Sequence, residues 1–144
     1  MDKHNNKIKL VFSAISENEA FARSVAACFA LKLNPSIEEI NDIKTAVSEA
    51  VTNSIVHGYP NGDGEIILEA EHDDKKLHIN VFDNGVGIEN IEKALEPFYT
   101  TKPDGERSGI GFSVMKSFMD KVTVVSEKGK GTKIYMEKTL KTGS

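Results

Sequence analysis

Tryptophan is absent from this sequence of 144 residues, cysteine occurs once, and proline four times. A single cysteine excludes a disulfide framework within the chain and a thiolate metal cluster. Cys28 stands in the apolar run 25–31, where it is expected to be a small buried hydrophobe rather than a reactive thiol. Charge of neither sign is massed, since 18 Lys and Arg face 22 Asp and Glu for a net charge of -4. The clustered basic footprint of a DNA- or RNA-binding protein is missing, so direct nucleic-acid binding is not expected. No apolar run approaches the roughly 20 residues of a membrane span. Residues 1–9 are polar and lysine-bearing without the apolar core of a secretory signal, and a cytoplasmic protein is expected.

What is present is 39% hydrophobic residues spread along the chain, enough for a single domain over residues 1–144 with no room for a second catalytic domain. Residues 7–14 alternate as an opening strand. Ser16 and Glu19 have the spacing of a capping box for a helix over 17–33, with Ala20, Phe21, Val25, Cys28, Phe29 and Leu31 as its apolar face. A second capping box, Ser36 with Glu39, precedes the longest periodic segment. There Ile37, Ile40, Ile43, Val47, Val51 and Ile55 recur at helical spacing until Gly58. Strands over 65–71 and 77–82 should form a hairpin around Asp73-Asp74-Lys75, and a helix over 111–119 should precede closing strands over 122–126 and 133–137. Between 83 and 107 Gly and Pro interrupt the pattern, sparing one short helical piece near 91–95, and so long an irregular stretch is usually functional. Residues 1–6 and 141–144 are expected to be disordered ends.

Three local patterns carry chemistry. Glu49 and Asn53, four apart on the long helix, share one face. A solvated face is the ordinary explanation of such a pair, but a charge among Ala46, Val47, Ala50 and Val51 needs a reason to be tolerated. Asp83-Asn-Gly85-Val-Gly87 follows an apolar strand. A carboxylate there can accept from a nucleobase amino group while glycines let the backbone pass a flat ring, and an ordinary Asp-Asn-Gly turn serves equally well. Ser108-Gly109-Ile-Gly111 immediately precedes a helix whose N-H groups can hold phosphate oxygens. Before it stand Thr100, Thr101, Lys102 and Arg107, donors able to close over a triphosphate or simply to line a solvated loop.

In their order, with a later Gly129-Lys-Gly-Thr132, these patterns resemble the GHKL ATP-binding superfamily over nearly the whole chain. The resemblance implies an α/β two-layer sandwich, with a mixed, mainly antiparallel sheet and helices on one face. It implies ATP and Mg2+ as cofactors and Glu49 as general base. Asn53 is implied as the metal ligand, Asp83 as the reader of the adenine amino group and Gly85 and Gly87 as lining of the base pocket. Gly109 and Gly111, beside Ser108, would meet the phosphates, and Thr132 would lie near the adenine. His57, one turn beyond Asn53, fits either the metal's water shell or a plain helix-end histidine.

Large GHKL ATPases carry further domains to couple hydrolysis to movement, and histidine kinases carry a helical segment with the accepting histidine. Neither pattern is found in the four histidines or the length of this chain. The runs Val47-Ser-Glu-Ala-Val-Thr-Asn-Ser-Ile-Val-His-Gly-Tyr59, Phe98-Tyr-Thr-Thr-Lys-Pro103, Glu106-Arg-Ser-Gly-Ile-Gly-Phe112, Phe12-Ser-Ala and Ser16-Glu-Asn-Glu-Ala-Phe-Ala-Arg23 look like the small serine kinases that act as anti-sigma factors. That resemblance implies a sporulation sigma factor as the inhibited partner, an anti-anti-sigma protein as phosphoacceptor, a homodimer, and Arg23 as a partner contact. A kinase of a general stress sigma factor, a nucleotide-gated module without phosphotransfer, and a plain ATP hydrolase are the competing expectations.

Overall fold

The computed structural model describes residues 6–88 and 108–141. In chain order these form β1 (Lys7–Ser13), α1 (Glu17–Ala30), a 3-10 turn (Leu31–Leu33), α2 (Ile37–Asn53), a π-helical turn (Ser54–Gly58), β2 (Glu65–Asp73), β3 (Lys76–Asp83), α3 (Ser108–Phe118), β4 (Lys121–Glu127) and β5 (Gly131–Thr139). The strands make one sheet in the order β1-β2-β3-β5-β4. Each adjacent pair is antiparallel, so the mixed character expected of the sheet is not found among the described residues. The hairpin is as expected, with Asp74 at its tip in the left-handed region.

Alternation along the strands decides which face is buried. Phe12, Ile66, Leu68, Ala70, Leu77, Ile79, Val81, Ile134 and Met136 point to the helices and join one core with Ile43, Val47, Val51, Phe112 and Met115. Each fully buried Ile or Val of α2 contributes on the order of 1.5–3 kcal/mol. Val11, Val125 and Tyr135, on the alternate positions, stay exposed on the opposite face. The helix layer is centred on α2, which packs against α1 on one side and α3 on the other. Among the described residues no helix is long and apolar enough to cross a membrane.

Several local expectations are corrected. Ser36 does cap α2, accepting from the Glu39 amide while Glu39 reaches back. Ser16 does not cap α1, because its backbone is already αR and its side chain makes no cap hydrogen bond. Glu19 instead pairs with Arg23 at 3.6 Å. The buried stripe of α1 is Ala22, Ala26, Phe29 and Ala30, small residues but for Phe29, and they let its backbone lie close to α2. Cys28 falls outside that stripe and is exposed, and Phe21 and Leu31 are more than half exposed, at 54% and 57%. Ile37, in the first turn of α2, is 82% exposed, since the core begins only further along that helix. The ends are tied down where described: the Asn6 carbonyl accepts from the His72 amide, and the Lys141 amide donates to Glu39. The short helical piece expected near 91–95 lies outside the described residues.

Candidate functional site

One cross-strand row of the helix-facing side of the sheet runs through paired positions Phe12, Ile66, Asp83, Thr132 and Ser126. Residues paired across strands share a face. The row is therefore apolar over β1 and β2 and polar over β3, β5 and β4, and the core gives way to a site at Asp83.

Asp83 is 4% exposed, and its environment accounts for most of its acceptor capacity. Oδ1 accepts from the Gly85 amide at 2.9 Å and from the Thr132 amide at 3.3 Å, and Oδ2 accepts from the Ser54 hydroxyl at 2.6 Å. An ionised carboxylate offers about four acceptor positions. The position left over is on Oδ2, where a donor from a bound molecule can be received. Burial pushes the Asp83 carboxyl above its ordinary value of 3.8, while the hydrogen bonds from Ser54, Gly85 and Thr132 pull it back.

The local chain geometry explains how α2 and the loop after β3 meet at this carboxylate. Beyond Asn53 the helix widens into the π turn, closed by the Tyr59 amide on the Ser54 carbonyl at 3.0 Å. Such turns are uncommon and concentrate at functional sites. Ser54, still wound into α2 with its amide on the Ala50 carbonyl, donates to Asp83, and the turn beyond it leaves the Gly58 carbonyl to accept from the Val86 amide at 2.9 Å. Gly85 is obligatory for that seam, because a Cβ on it would run into the Gly58 carbonyl. Tyr59 fastens the seam from outside: its hydroxyl donates to the Glu65 carbonyl and accepts from the Asn84 amide, each at 2.7 Å. Burial raises the pKa of that phenol above 10.0.

One turn back along α2, Asn53 is buried and Glu49 half-buried. The first turn of α3 closes on Glu49, since a Cβ built on Gly111 would stand 3.1 Å from Glu49 Oε1. Glycine at 111 thus brings the carboxylate to the start of the helix whose amides the family resemblance implies as phosphate contacts. Ser108 and Gly109 lie in the same first turn, and Gly87, in the chain after Asp83, passes close beside the Glu127 carbonyl. Thr132 stands next to Asp83, and His57 is half-buried within the π turn. Thr100, Thr101, Lys102 and Arg107 lie outside the described residues. Arg23 is brought to the other end of the site, lining with Glu49, Asn41, Lys44, Thr45 and Ser48 a groove between α1 and α2. No group of three or more His, Cys, Asp or Glu assembles among the described residues. That donor set does not make a protein cage for a metal. Asn53, buried on α2 one turn from Glu49, carries a side-chain oxygen of the kind that could hold a hard cation such as Mg2+.

Reading the sequence left out Ser54, Tyr59 and Ser126. Ser54 adjoins Asn53 and falls one turn beyond the buried Ala50 and Val51, so the phase of α2 already turns it inward, although its partner on β3 is not visible from that phase. Ser126 could have been found from its alternation with Val122 and Val124 on β4, which puts it on the inward face.

Residues 12–138 match the family described as the histidine kinase-like ATPase domain. The anti-sigma F factor of Clostridium acetobutylicum is 61% identical over 133 residues, which cover 92% of this chain and 93% of that protein. Among solved structures, the RsbU and RsbW domains of a Mycobacterium tuberculosis protein superpose with a TM-score of 0.67 at 17% identity, covering 94% of this chain and 32% of that one. The catalytic domain of the histidine kinase ThkA superposes with a TM-score of 0.59 at 19% identity, covering 92% of this chain and 96% of that one. These two superpositions show the fold, a sheet backed by helices on one face.

Proposed function

This chain belongs to the histidine kinase-like ATPase domain family, and from that premise we propose that it is an ATP-dependent anti-sigma factor and protein-serine kinase. In this reading it binds and inhibits the sporulation sigma factor sigma F. With Mg2+ and ATP it phosphorylates an anti-anti-sigma antagonist on serine, and it works as a homodimer. The observation that carries the catalytic part is the contact of Glu49 with the first turn of α3. It places a carboxylate at the helix start where backbone amides would hold the phosphates. The anti-sigma part is supported by the name of the relative at 61% identity.

The residues then divide the work. Asp83 receives the adenine amino group on Oδ2, and Gly85 and Gly87 carry the backbone past the ring. The amides of the α3 first turn, at Ser108, Gly109 and Gly111, hold phosphate oxygens, joined by Thr100, Thr101, Lys102 and Arg107. Glu49 takes the proton of the acceptor serine hydroxyl as it attacks. Phosphoryl transfer asks little covalent chemistry of the protein, so placing the serine in line and neutralising charge supply most of the rate. A bound Mg2+ would supply charge neutralisation at the phosphate oxygens, with Asn53 as its protein ligand.

Asn53→Ala is expected to lose about tenfold in ATP affinity with Mg2+ present, the scale of one charge-assisted contact, and little with EDTA. Calorimetry under both conditions checks this, and equal affinities with Mg2+ in variant and wild type would remove Asn53 as the ligand.

Arg23 shares its groove with Glu49, so a protein held by Arg23 is held within reach of the base. The exposed Phe21 and Leu31 flank it in sequence, giving this part of the chain the apolar-plus-arginine make-up common at interfaces. Arg23→Ala should weaken binding of sigma factor and antagonist without changing ATP affinity, and unchanged partner affinity would take Arg23 out of the interface.

The function as a whole is tested by transfer of label from gamma-labelled ATP to the anti-anti-sigma protein, followed by phosphoamino-acid analysis. Phosphoserine is the expected product. Tight ATP binding with no transfer would make the chain a nucleotide-gated binding module, and steady phosphate release without an acceptor would make it a plain hydrolase.

A further inference from the structure

The hydroxyl of Ser126 makes three contacts and owns one hydrogen. It receives the Ile88 amide at 2.8 Å, lies 2.9 Å from the Gly131 carbonyl oxygen, and lies 2.8 Å from Thr132 Oγ1. An amide can only donate and a carbonyl can only accept. The Ser126 hydrogen therefore goes to Gly131, and the bond with Thr132 must be donated by Thr132. That commits the one hydrogen of Thr132 sideways, toward β4. What Thr132 Oγ1 has left is lone pairs, and its neighbour across the β3–β5 pair is the Asp83 carboxylate. The polar end of the cross-strand row thus offers acceptors at both positions, the remaining site on Asp83 Oδ2 and the lone pairs of Thr132.

We infer that Ser126 is a positioning residue for nucleotide selection: by holding the Thr132 hydroxyl as an acceptor, it makes the base pocket admit a purine with a donor at position 6 and refuse one with an acceptor there. Adenine carries an amino group at that position. Hypoxanthine and guanine carry an oxo group, which would face lone pairs without a hydrogen between them, and a buried polar group left unpaired weakens binding. Ser126 itself touches no ligand in this assignment. It rests on the reading of Asp83 as the adenine contact.

The test compares the dissociation constants of ATP and ITP for the full chain by calorimetry, because ITP changes the 6-substituent and keeps the phosphates. Wild type should prefer ATP. Ser126→Ala frees the Thr132 hydroxyl to turn and donate, and should shrink the ITP-to-ATP ratio of dissociation constants by roughly five- to tenfold, the worth of one neutral hydrogen bond. Ser126→Thr keeps the hydroxyl and should keep the wild-type ratio. Thr132→Val removes the acceptor at nearly constant volume and should shrink the ratio as Ser126→Ala does, so the test survives if Ser126→Ala does not fold. In the Thr132→Val background, Ser126→Ala should change the ratio no further. A general loosening of the loop would weaken both nucleotides alike and leave the ratio fixed, which overturns the assignment of Ser126 alone. A wild type that binds ATP and ITP equally would overturn the adenine reading of Asp83, and this assignment with it.

Discussion

Glu49→Gln is expected to lose phosphoryl transfer to the antagonist by about 10²–10⁴-fold, the usual worth of a positioned general base, while ATP binding stays near wild type. The carboxamide has the shape of the carboxylate and can occupy the same place against Gly111, so the packing of α3 on α2 survives. It cannot take the serine proton. Single-turnover transfer and nucleotide affinity, measured on the same preparation, separate the two effects. Equal transfer by variant and wild type would remove Glu49 from the base role. Parallel loss of affinity and transfer would make it a nucleotide-binding residue.

Asp83→Asn is expected to weaken ATP binding roughly 10- to 100-fold, the range for a hydrogen bond to a charged group. The fold should tolerate the change. The asparagine oxygen can keep the Gly85 and Thr132 amides, and the Ser54 hydroxyl can turn to accept from the new amino group. The position facing the ligand then carries a donor where adenine also brings one. An unchanged dissociation constant would move the base pocket elsewhere. The same carboxylate gives a pH signature. Its folded pKa lies above the ordinary value of 3.8 because burial disfavours the charge. Between those two values the folded chain holds more protons than the unfolded one, so the contribution of Asp83 to stability falls as pH rises through the window. ATP affinity runs the other way, since only the ionised carboxylate has the open acceptor. It should rise with pH across that window and then level, and the rise should be missing in Asp83→Asn.

Much of the fold is legible in the sequence because its periodicities are strong. The alternation of 77–82 and the helical recurrence of Ile43, Val47 and Val51 each have one geometric solution, and Ser36 with Glu39 is a local signal that tertiary packing has no reason to override. In α1 the larger apolar side chains suggest the wrong buried face, because close approach to α2 selects Ala22, Ala26 and Ala30 and leaves Phe21 and Cys28 outside. Size predicts burial poorly where a helix seats by its smallest residues. At the site, Glu49, Asn53 and Asp83 are visible as charge or amide in apolar surroundings. Ser54 and Ser126 show only their inward phase, since which atom of another element each hydroxyl meets is set by tertiary packing, and Tyr59 lies in the turn cluster before β2, where periodicity says nothing.

The π turn after Asn53 makes the number of residues between Ser54 and Gly58 matter more than their kinds. An α turn in its place would be one residue shorter, and each residue removed rotates the chain beyond it by about 100°. Deleting one of residues 55–57 would let the helix relax to regular winding, yet would swing the Gly58 carbonyl from the Val86 amide and undo the seam at Gly85. The side chains of Ile55 and Val56 enter neither of those bonds, so exchange for other apolar residues should pass with little effect. At Ile55 and Val56 the chain should accept spelling changes far more readily than a change in count, whereas Ser54 is held by its bond to Asp83 and Gly58 by the closeness of that carboxylate.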